Sequence, residues 1–156
     1  MISISIPGAK ELQLQYLVLD FNGTLGVDGK LLEGVKDKLN ILVSSLDIHI
    51  VSADTFGNVK EQLKHVKCKI KITDETDQQL QKLGYIAQLG VDSVVAVGNG
   101  RNDALMLKHA ALGICLIQKE GASPETMMGA DVVCNNIFDA LDLLTNPLRL
   151  KATLRK

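Results

Sequence analysis

Leu17-Val18-Leu19-Asp20-Phe21-Asn22-Gly23-Thr24-Leu25 is an apolar run that ends abruptly in a carboxylate, followed at once by an Asn-Gly turn signal. A short run that is apolar on both faces and closed by turn residues reads as a buried strand of a parallel sheet. In open α/β sheets, ligands bind just beyond the carboxyl ends of the strands. Asp20 falls there. A carboxylate in that position can attack phosphorus, hold a divalent cation, or do both. Taken alone, the same residues also fit an Asp-capped turn after a strand.

Outward from this stretch, the pattern alternates. Ile2, Ile4 and Ile6 interleave with serines, Pro7-Gly8 breaks the run, and Leu12, Leu14 and Tyr16 alternate again. This predicts an N-terminal β-hairpin feeding the central strand. Asp28-Gly29 predicts a small hairpin-like flap over Asp20. Val35, Leu39, Leu42 and Leu46 have helical spacing, as do Phe56, Val59, Leu63 and Val66. Ile48–Ser52 and Val94–Val97 read as buried strands, Cys68–Ile72 as a peripheral one, and Leu112–Ile117 and Val132–Val133 as two more. A helix is expected from about Glu75 to Leu89, carrying Lys82, and another through Leu105, Met106 and His109. Ser123-Pro124 predicts a capped short helix, Ile137–Leu144 a further helix, and Asn146-Pro147 the start of a basic C-terminal one. Strands alternating with helices mean an α/β fold with a doubly wound, parallel, Rossmann-like sheet, spanning residues 1–156 as one domain. In such a sheet Asp20, Ser52 and the segment from Asn99 to Asp103 all end strands, and they can meet in one crevice.

The 156 residues are 46% hydrophobic and 22% charged, with a net charge of −1. That composition carries no electrostatic footprint for nucleic acid or anionic lipid, so neither partner is expected. No apolar run is long enough to span a membrane. The first residues lack the basic region and apolar core of a signal peptide. Three cysteines, Cys68, Cys115 and Cys134, in no metal-like spacing, predict buried thiols in a reducing compartment, hence a cytoplasmic protein. His49, His65 and His109 share no spacing that favours a metal site and read as structural or surface residues. Arg149, Lys151, Arg155 and Lys156 read as a solvated helix face.

The motifs Asp20-Phe21-Asn22-Gly23-Thr24-Leu25, Val51-Ser52-Ala53-Asp54, Lys82 and Gly98-Asn99-Gly100-Arg101-Asn102-Asp103, in that order, resemble the haloacid dehalogenase (HAD) superfamily. The chain is most similar to its small soluble members related to the phosphorylation domain of P-type ATPases. The resemblance runs from about residue 16 to 140, with boundaries good to a few residues. It implies a Mg²⁺-dependent phosphohydrolase that forms an aspartyl-phosphate on Asp20 and acts on a phosphorylated substrate. It implies catalytic roles for Asp20, Asn22, Ser52 and Lys82. Asn22, Gly23, Thr24, Ser52, Ala53, Lys82 and Asn102 would contact the substrate, with Gly23 and Gly100 letting backbone N–H groups approach the phosphate. Asp20, Asn22, Asn99 and Asp103 would meet the metal. Taken singly, Ser52 also fits an ordinary strand-end hydroxyl, Lys82 a solvated helix lysine, and Gly98-Asn99-Gly100 a plain strand-to-helix turn.

The chain departs from the family twice. Asn22 stands where the common hydrolase pattern has an Asp that protonates the leaving group, and an amide cannot exchange that proton. Such acid–base help is typically worth about 10²–10⁴-fold, so a slow enzyme is expected. P-type ATPases also lack this acid. Asn99 replaces a usual metal-binding Asp, which should weaken Mg²⁺. No segment is long enough for a cap domain, so a homo-oligomer is expected in which a neighbouring subunit serves as lid. The alternative function is a non-catalytic phosphate- or metal-binding regulatory or assembly module derived from a phosphatase. A receiver-like phospho-acceptor domain fits less well, because no acidic pair precedes Asp20. Replacement of Lys82 by Ala is expected to abolish phosphate binding and leave thermal stability unchanged.

Overall fold

The computed structural model describes residues 1–9 and 11–156. In chain order the strands are β1 (Ile2–Ile4), β2 (Leu12–Leu14), β3 (Tyr16–Leu19), β4 (Gly26–Val27), β5 (Lys30–Leu31), β6 (Asp47–Ser52), β7 (Lys69–Ile72), β8 (Val94–Gly98), β9 (Leu112–Leu116) and β10 (Val132–Cys134). The helices are α1 (Val35–Leu42), α2 (Val59–Gln62), α3 (Gln78–Leu89), α4 (Ala104–His109), α5 (Pro124–Gly129), α6 (Ile137–Thr145) and α7 (Pro147–Leu154). Six strands form one parallel sheet in the order β10-β9-β8-β3-β6-β7. It is the HAD-like, Rossmann-like sheet expected, with β1–β2 as a separate antiparallel hairpin in the register Ile2↔Leu14.

β3 lies in the middle. The chain leaves it toward β6 and β7, then returns to its other side as β8. The strand order therefore reverses between β3 and β8, the place where doubly wound sheets open a binding crevice. Leu17, Val18 and Leu19 are fully buried. Leu17 and Leu19 point into the larger core layer, with Val35, Leu39, Ile137, Leu141 and Leu150 from α1, α6 and α7. Val18 points into the layer under α3 and α4, with Val51, Ile86, Ala96, Met106 and Leu107. Each such side chain contributes about 1.5–3 kcal/mol of burial, and a charge at any of the three would break the central strand.

β4 and β5 form the flap, turned by Asp28 at φ 51° and Gly29 at φ 72°. Two successive left-handed residues make the turn type that suits a two-residue hairpin. Gln62 holds the flap from outside, accepting from Leu31 N–H at 3.2 Å and donating to the Gly29 carbonyl at 3.2 Å. Among the described residues, nothing larger than this flap and α1 separates β3 from β6, so the fold carries no cap domain.

Several local expectations are corrected. The stripe from Phe56 to Val66 is not one helix. Only Val59–Gln62 is α-helical, and Phe56 is exposed on the loop before it. Asp54 starts that helix instead, its Oδ1 accepting from Asn58 and Val59 N–H at 2.9 and 3.1 Å. α3 begins at Gln78, because Asp77 at φ 50° cannot continue a right-handed helix. Ser123 and Asn146 precede α5 and α7 but neither side chain caps its helix. Asn146 Nδ2 instead donates back to the Asp142 carbonyl of α6. All three cysteines are free thiols, but only Cys115 is buried, with Cys68 and Cys134 half-buried.

Candidate active site

Asp20 is the first residue past β3, and its N–H still bonds to Val97 of β8 at 3.0 Å. Alternation along β3 turns its side chain to the α3 side of the sheet. Lys82 reaches it from the second turn of α3. The ammonium donates to Asp20 Oδ1 at 2.6 Å and to Asp103 Oδ1 at 2.6 Å. Lys82 and Asp103 are wholly buried, and Asp20 is 6% exposed. The solvated-lysine reading of Lys82 is therefore excluded. Burial first, and then the nearby Asp103 charge, push the Asp20 carboxyl up to about 7 against the opposing pull of Lys82. Burial works against the Lys82 charge, but the Asp103 and Asp20 carboxylates outweigh it and hold the ammonium protonated.

Asp103 is committed on both oxygens. Its Oδ2 accepts from the backbone N–H groups of Asn99 and Gly100, each at 3.0 Å. These bonds shape the Gly98–Asp103 turn and aim Oδ1 at Lys82. Asn99 is a strut between two loops. Its Nδ2 donates to the Gly121 carbonyl at 3.0 Å and its Oδ1 accepts from Thr24 Oγ1 at 3.3 Å. Gly23, at φ +78°, lets Asn99 in, for a Cβ there would lie 2.3 Å from Asn99 Nδ2.

The other sequence-predicted residues divide. Ser52 ends β6, one strand from Asp20, with its Oγ accepting from Asp54 N–H at 3.0 Å. Ala53 follows it, half-buried. Asn22 lies two residues past Asp20, with its Oδ1 buried and unpartnered. Gly23 and Thr24 are not opened toward a substrate. The Gly23 N–H bonds to Gly26, Thr24 is wholly buried against Asn99, and the Gly100 N–H is held by Asp103. Asn102 donates to Gln78 Oε1 at 2.7 Å, tying the turn to the first residue of α3.

No protein-family model matches the sequence. An uncharacterised protein of Methanocaldococcus jannaschii is 46% identical over 82 residues, covering 50% of this chain and 88% of that one. A phosphoserine phosphatase of Idiomarina loihiensis is 42% identical over 69 residues, 43% of this chain and 30% of that one. Among solved structures, 3-deoxy-D-manno-octulosonate 8-phosphate phosphatase from Moraxella catarrhalis, in complex with magnesium, phosphate and its sugar, superposes with a TM-score of 0.66 at 17% identity, over 92% of this chain and 94% of that one. A phospho-aspartyl intermediate analogue of phosphoserine phosphatase superposes at 0.67 with 15% identity, over 85% and 99%. These solved phosphatases share the fold of this chain.

The donors around Asp20 suit a hard divalent cation. Mg²⁺ takes oxygen ligands, keeps several waters, and needs only one or two carboxylates. Among the described residues no cluster of three or more His, Cys, Asp or Glu side chains could hold a metal. Asp20 supplies a carboxylate oxygen that Lys82 does not hold, and the unpartnered Asn22 Oδ1 is a buried acceptor two residues on. The set fits the ion as a lightly charged site.

Gln118, just past β9, escaped the sequence reading. Its Nε2 donates to the carbonyls of Gly23 at 3.1 Å and Thr24 at 2.9 Å, and its Oε1 accepts from Ile137 N–H at 2.9 Å. One half-buried amide thus clamps the loop after Asp20 to the start of α6. A polar residue at the carboxyl end of a buried strand was the only signal for it.

Proposed function

We propose that this chain is a phosphohydrolase that transfers a phosphoryl group from its substrate to Asp20 and then to water. The observation that carries this reading is the buried Lys82 ammonium, 2.6 Å from both Asp20 and Asp103 at the switch point of the sheet. The likeness to a phospho-aspartyl analogue structure supports it through the fold. In the first step an Asp20 oxygen forms a bond to phosphorus while the bond to the leaving oxygen breaks in line. In the second, a water oxygen attacks the same phosphorus, the Asp20 oxygen leaves, and inorganic phosphate departs. Lys82 neutralises charge on the phosphoryl oxygens, and Asp103 orients Lys82. The Ser52 hydroxyl is free to donate to a phosphoryl oxygen. Asp20 and Asn22 would hold Mg²⁺, which would supply charge neutralisation when bound, while Asn99 braces the loop beside them.

Asn22 offers no exchangeable proton, so the leaving group takes its proton from solvent. Acyl and aryl phosphates therefore turn over faster than alkyl phosphates. A second reading, a module that binds phosphate without turnover, is favoured by that same missing acid. Phosphate release from p-nitrophenyl phosphate in Mg²⁺, with wild type beside Asp20→Asn, separates them. Release that Asp20→Asn abolishes establishes the enzyme. Stabilisation by phosphate with no release establishes the binding module.

A further inference from the structure

β7 is the last strand of the sheet, and among the described residues no strand pairs with its outer edge. Peptide groups of successive strand residues point to opposite edges. The Thr73 N–H donates inward, to the Ser52 carbonyl at 2.9 Å, so the N–H and C=O groups of Ile70 and Ile72 point outward. The two faces of this edge differ. Lys69 and Lys71 are exposed on the α3 face, with Lys67 exposed just ahead of them, while Ile70 and Ile72 are only half-buried on the other face. Five of the 17 lysines and arginines fall within residues 60–71, against one acid, Glu61. None of Lys67, Lys69 and Lys71 takes part in an ion pair among the described residues. Each face also carries a recess. One of about 370 Å³ lies between Lys71 and α3, along Gln81, Gly84 and Gln88. One of about 180 Å³ has Val43, Leu46, Ile48 and Cys68 in its apolar wall, at the start of β7. A Cβ on Gly84 would meet nothing within 4 Å, so packing inside this chain does not call for glycine there. Glycine also weakens a helix interior relative to alanine. What it supplies is depth in the groove beside Lys71.

We propose that the outer edge of β7 binds an extended, acidic segment of a partner protein as a seventh strand. Main-chain hydrogen bonds to Ile70 and Ile72 would supply affinity, and the recesses on the two faces would take alternate side chains. Charge fixes the sequence of that segment. On the α3 face its side chains meet Lys69 and Lys71 and are acidic; on the other face they cover Ile70 and Ile72 and are apolar. A second copy of this chain is the wrong occupant, because two-fold pairing of β7 with itself sets Lys69 and Lys71 against the same two lysines. A nucleic acid fits less well, since it offers no ladder of alternating N–H and C=O groups and residues 60–71 hold no arginine. The proposal does not depend on the phosphohydrolase reading.

The probe is a fluorescein-labelled peptide of alternating Glu and Val, capped at both ends, read by fluorescence polarisation against the full chain. Two N-methylated forms, one on the Glu and one on the Val nitrogens, each strip the N–H groups from one edge of the peptide at unchanged charge. One of the two should bind about tenfold more weakly than the parent, and which one it is gives the strand direction. Lys69→Glu with Lys71→Glu should weaken the parent peptide about tenfold or more and should bind a Lys-Val peptide in its place. Gly84→Leu fills the groove and should weaken the parent peptide, whereas Gly84→Ala should raise thermal stability. Amide exchange at Ile70 and Ile72 should slow when the peptide is bound. Absence of binding at about 1 mM peptide overturns the proposal. So does equal binding of the parent and both N-methylated forms, or binding indifferent to the charge reversal. A poly(dT) oligonucleotide that binds more tightly than the peptide, and is lost in the same charge reversal, overturns it in favour of a nucleic-acid surface. Protection of Ile70 and Ile72 that grows with protein concentration alone overturns it in favour of self-association.

Discussion

Lys82→Met tests whether the buried charge trio holds the site together in the absence of ligand. Met keeps the length and apolar stem of Lys but removes the ammonium. Two carboxylates, Asp20 and Asp103, then face each other in a region where Asp103 is wholly buried. Both 2.6 Å contacts are lost at once. Removing one partner of a buried ion pair typically costs about 3–5 kcal/mol, because the remaining charge stays behind unpaired. For a chain of this size each kcal/mol is about 2–4 °C in Tm, so a loss of about 6–20 °C is expected. This reverses the expectation drawn from sequence, that replacing Lys82 leaves stability unchanged. The measurement is urea and thermal denaturation by circular dichroism, with a chelator present so that no divalent ion replaces the ammonium. Adding Asp103→Asn to Lys82→Met removes the repulsion and should recover about half the loss or more, a positive coupling that a double-mutant cycle reads directly. A Lys82→Met protein within 1 kcal/mol of wild type, or a cycle with no coupling between positions 82 and 103, would refute the reasoning.

Three further outcomes are expected. Gln118→Leu strips the bonds from the Gly23 and Thr24 carbonyls and from Ile137 N–H. It should cost about 1–3 kcal/mol and speed amide exchange across the loop and flap at 22–31, seen by hydrogen-exchange mass spectrometry. His49 is buried, which lowers its pKa below 6.5; Lys69 adds to this and Asp47 opposes it. The unfolded chain therefore binds this proton first as pH falls through 6.5. Stability should drop from there down to the folded pKa, and His49→Gln should flatten that part of a denaturation series. Asn22→Asp should raise turnover of alkyl phosphates by at most about 10²–10⁴-fold, and that of aryl phosphates less. Peptide mass spectrometry must first show that Asn22 and Asn99 are intact, since deamidation at either Asn-Gly would mimic the change.

The sheet was legible because buried parallel strands announce themselves as apolar runs. Leu17–Leu19 and Val94–Val97 could not be anything exposed, and the residues that end them had to share one crevice. The flap was legible because Asp28-Gly29 suits few other turns. The loop after β6 was not. Phe56 sits at helical spacing from Val59, but position 54 takes a left-handed backbone and its carboxylate caps a helix that starts later. Spacing records which residues are apolar. It does not record which backbone N–H groups a nearby carboxylate has claimed.

The same limit governs the site. Strand ends place Asp20 and Asp103 in one crevice, the family resemblance adds Lys82, and the structure joins the three at 2.6 Å. Order cannot show how each remaining polar atom is spent, and that decides what the two asparagines do. Asn99 looks, by position, like a metal ligand stripped of its charge. In place, its Nδ2 is a donor that the Gly121 carbonyl requires, while Thr24 donates to its Oδ1. A carboxylate there would turn acceptor against acceptor at Gly121. Amide chemistry is therefore needed at 99 to join the nucleophile loop to the Gly121 loop. Asn22 is different, since its Oδ1 is buried and bonded to nothing in the chain. Asn99→Asp should thus destabilise the metal-free protein, whereas Asn22→Asp should act chiefly on turnover. Equal losses of stability from the two substitutions in the absence of Mg²⁺ would show that the Gly121 bond does not distinguish them.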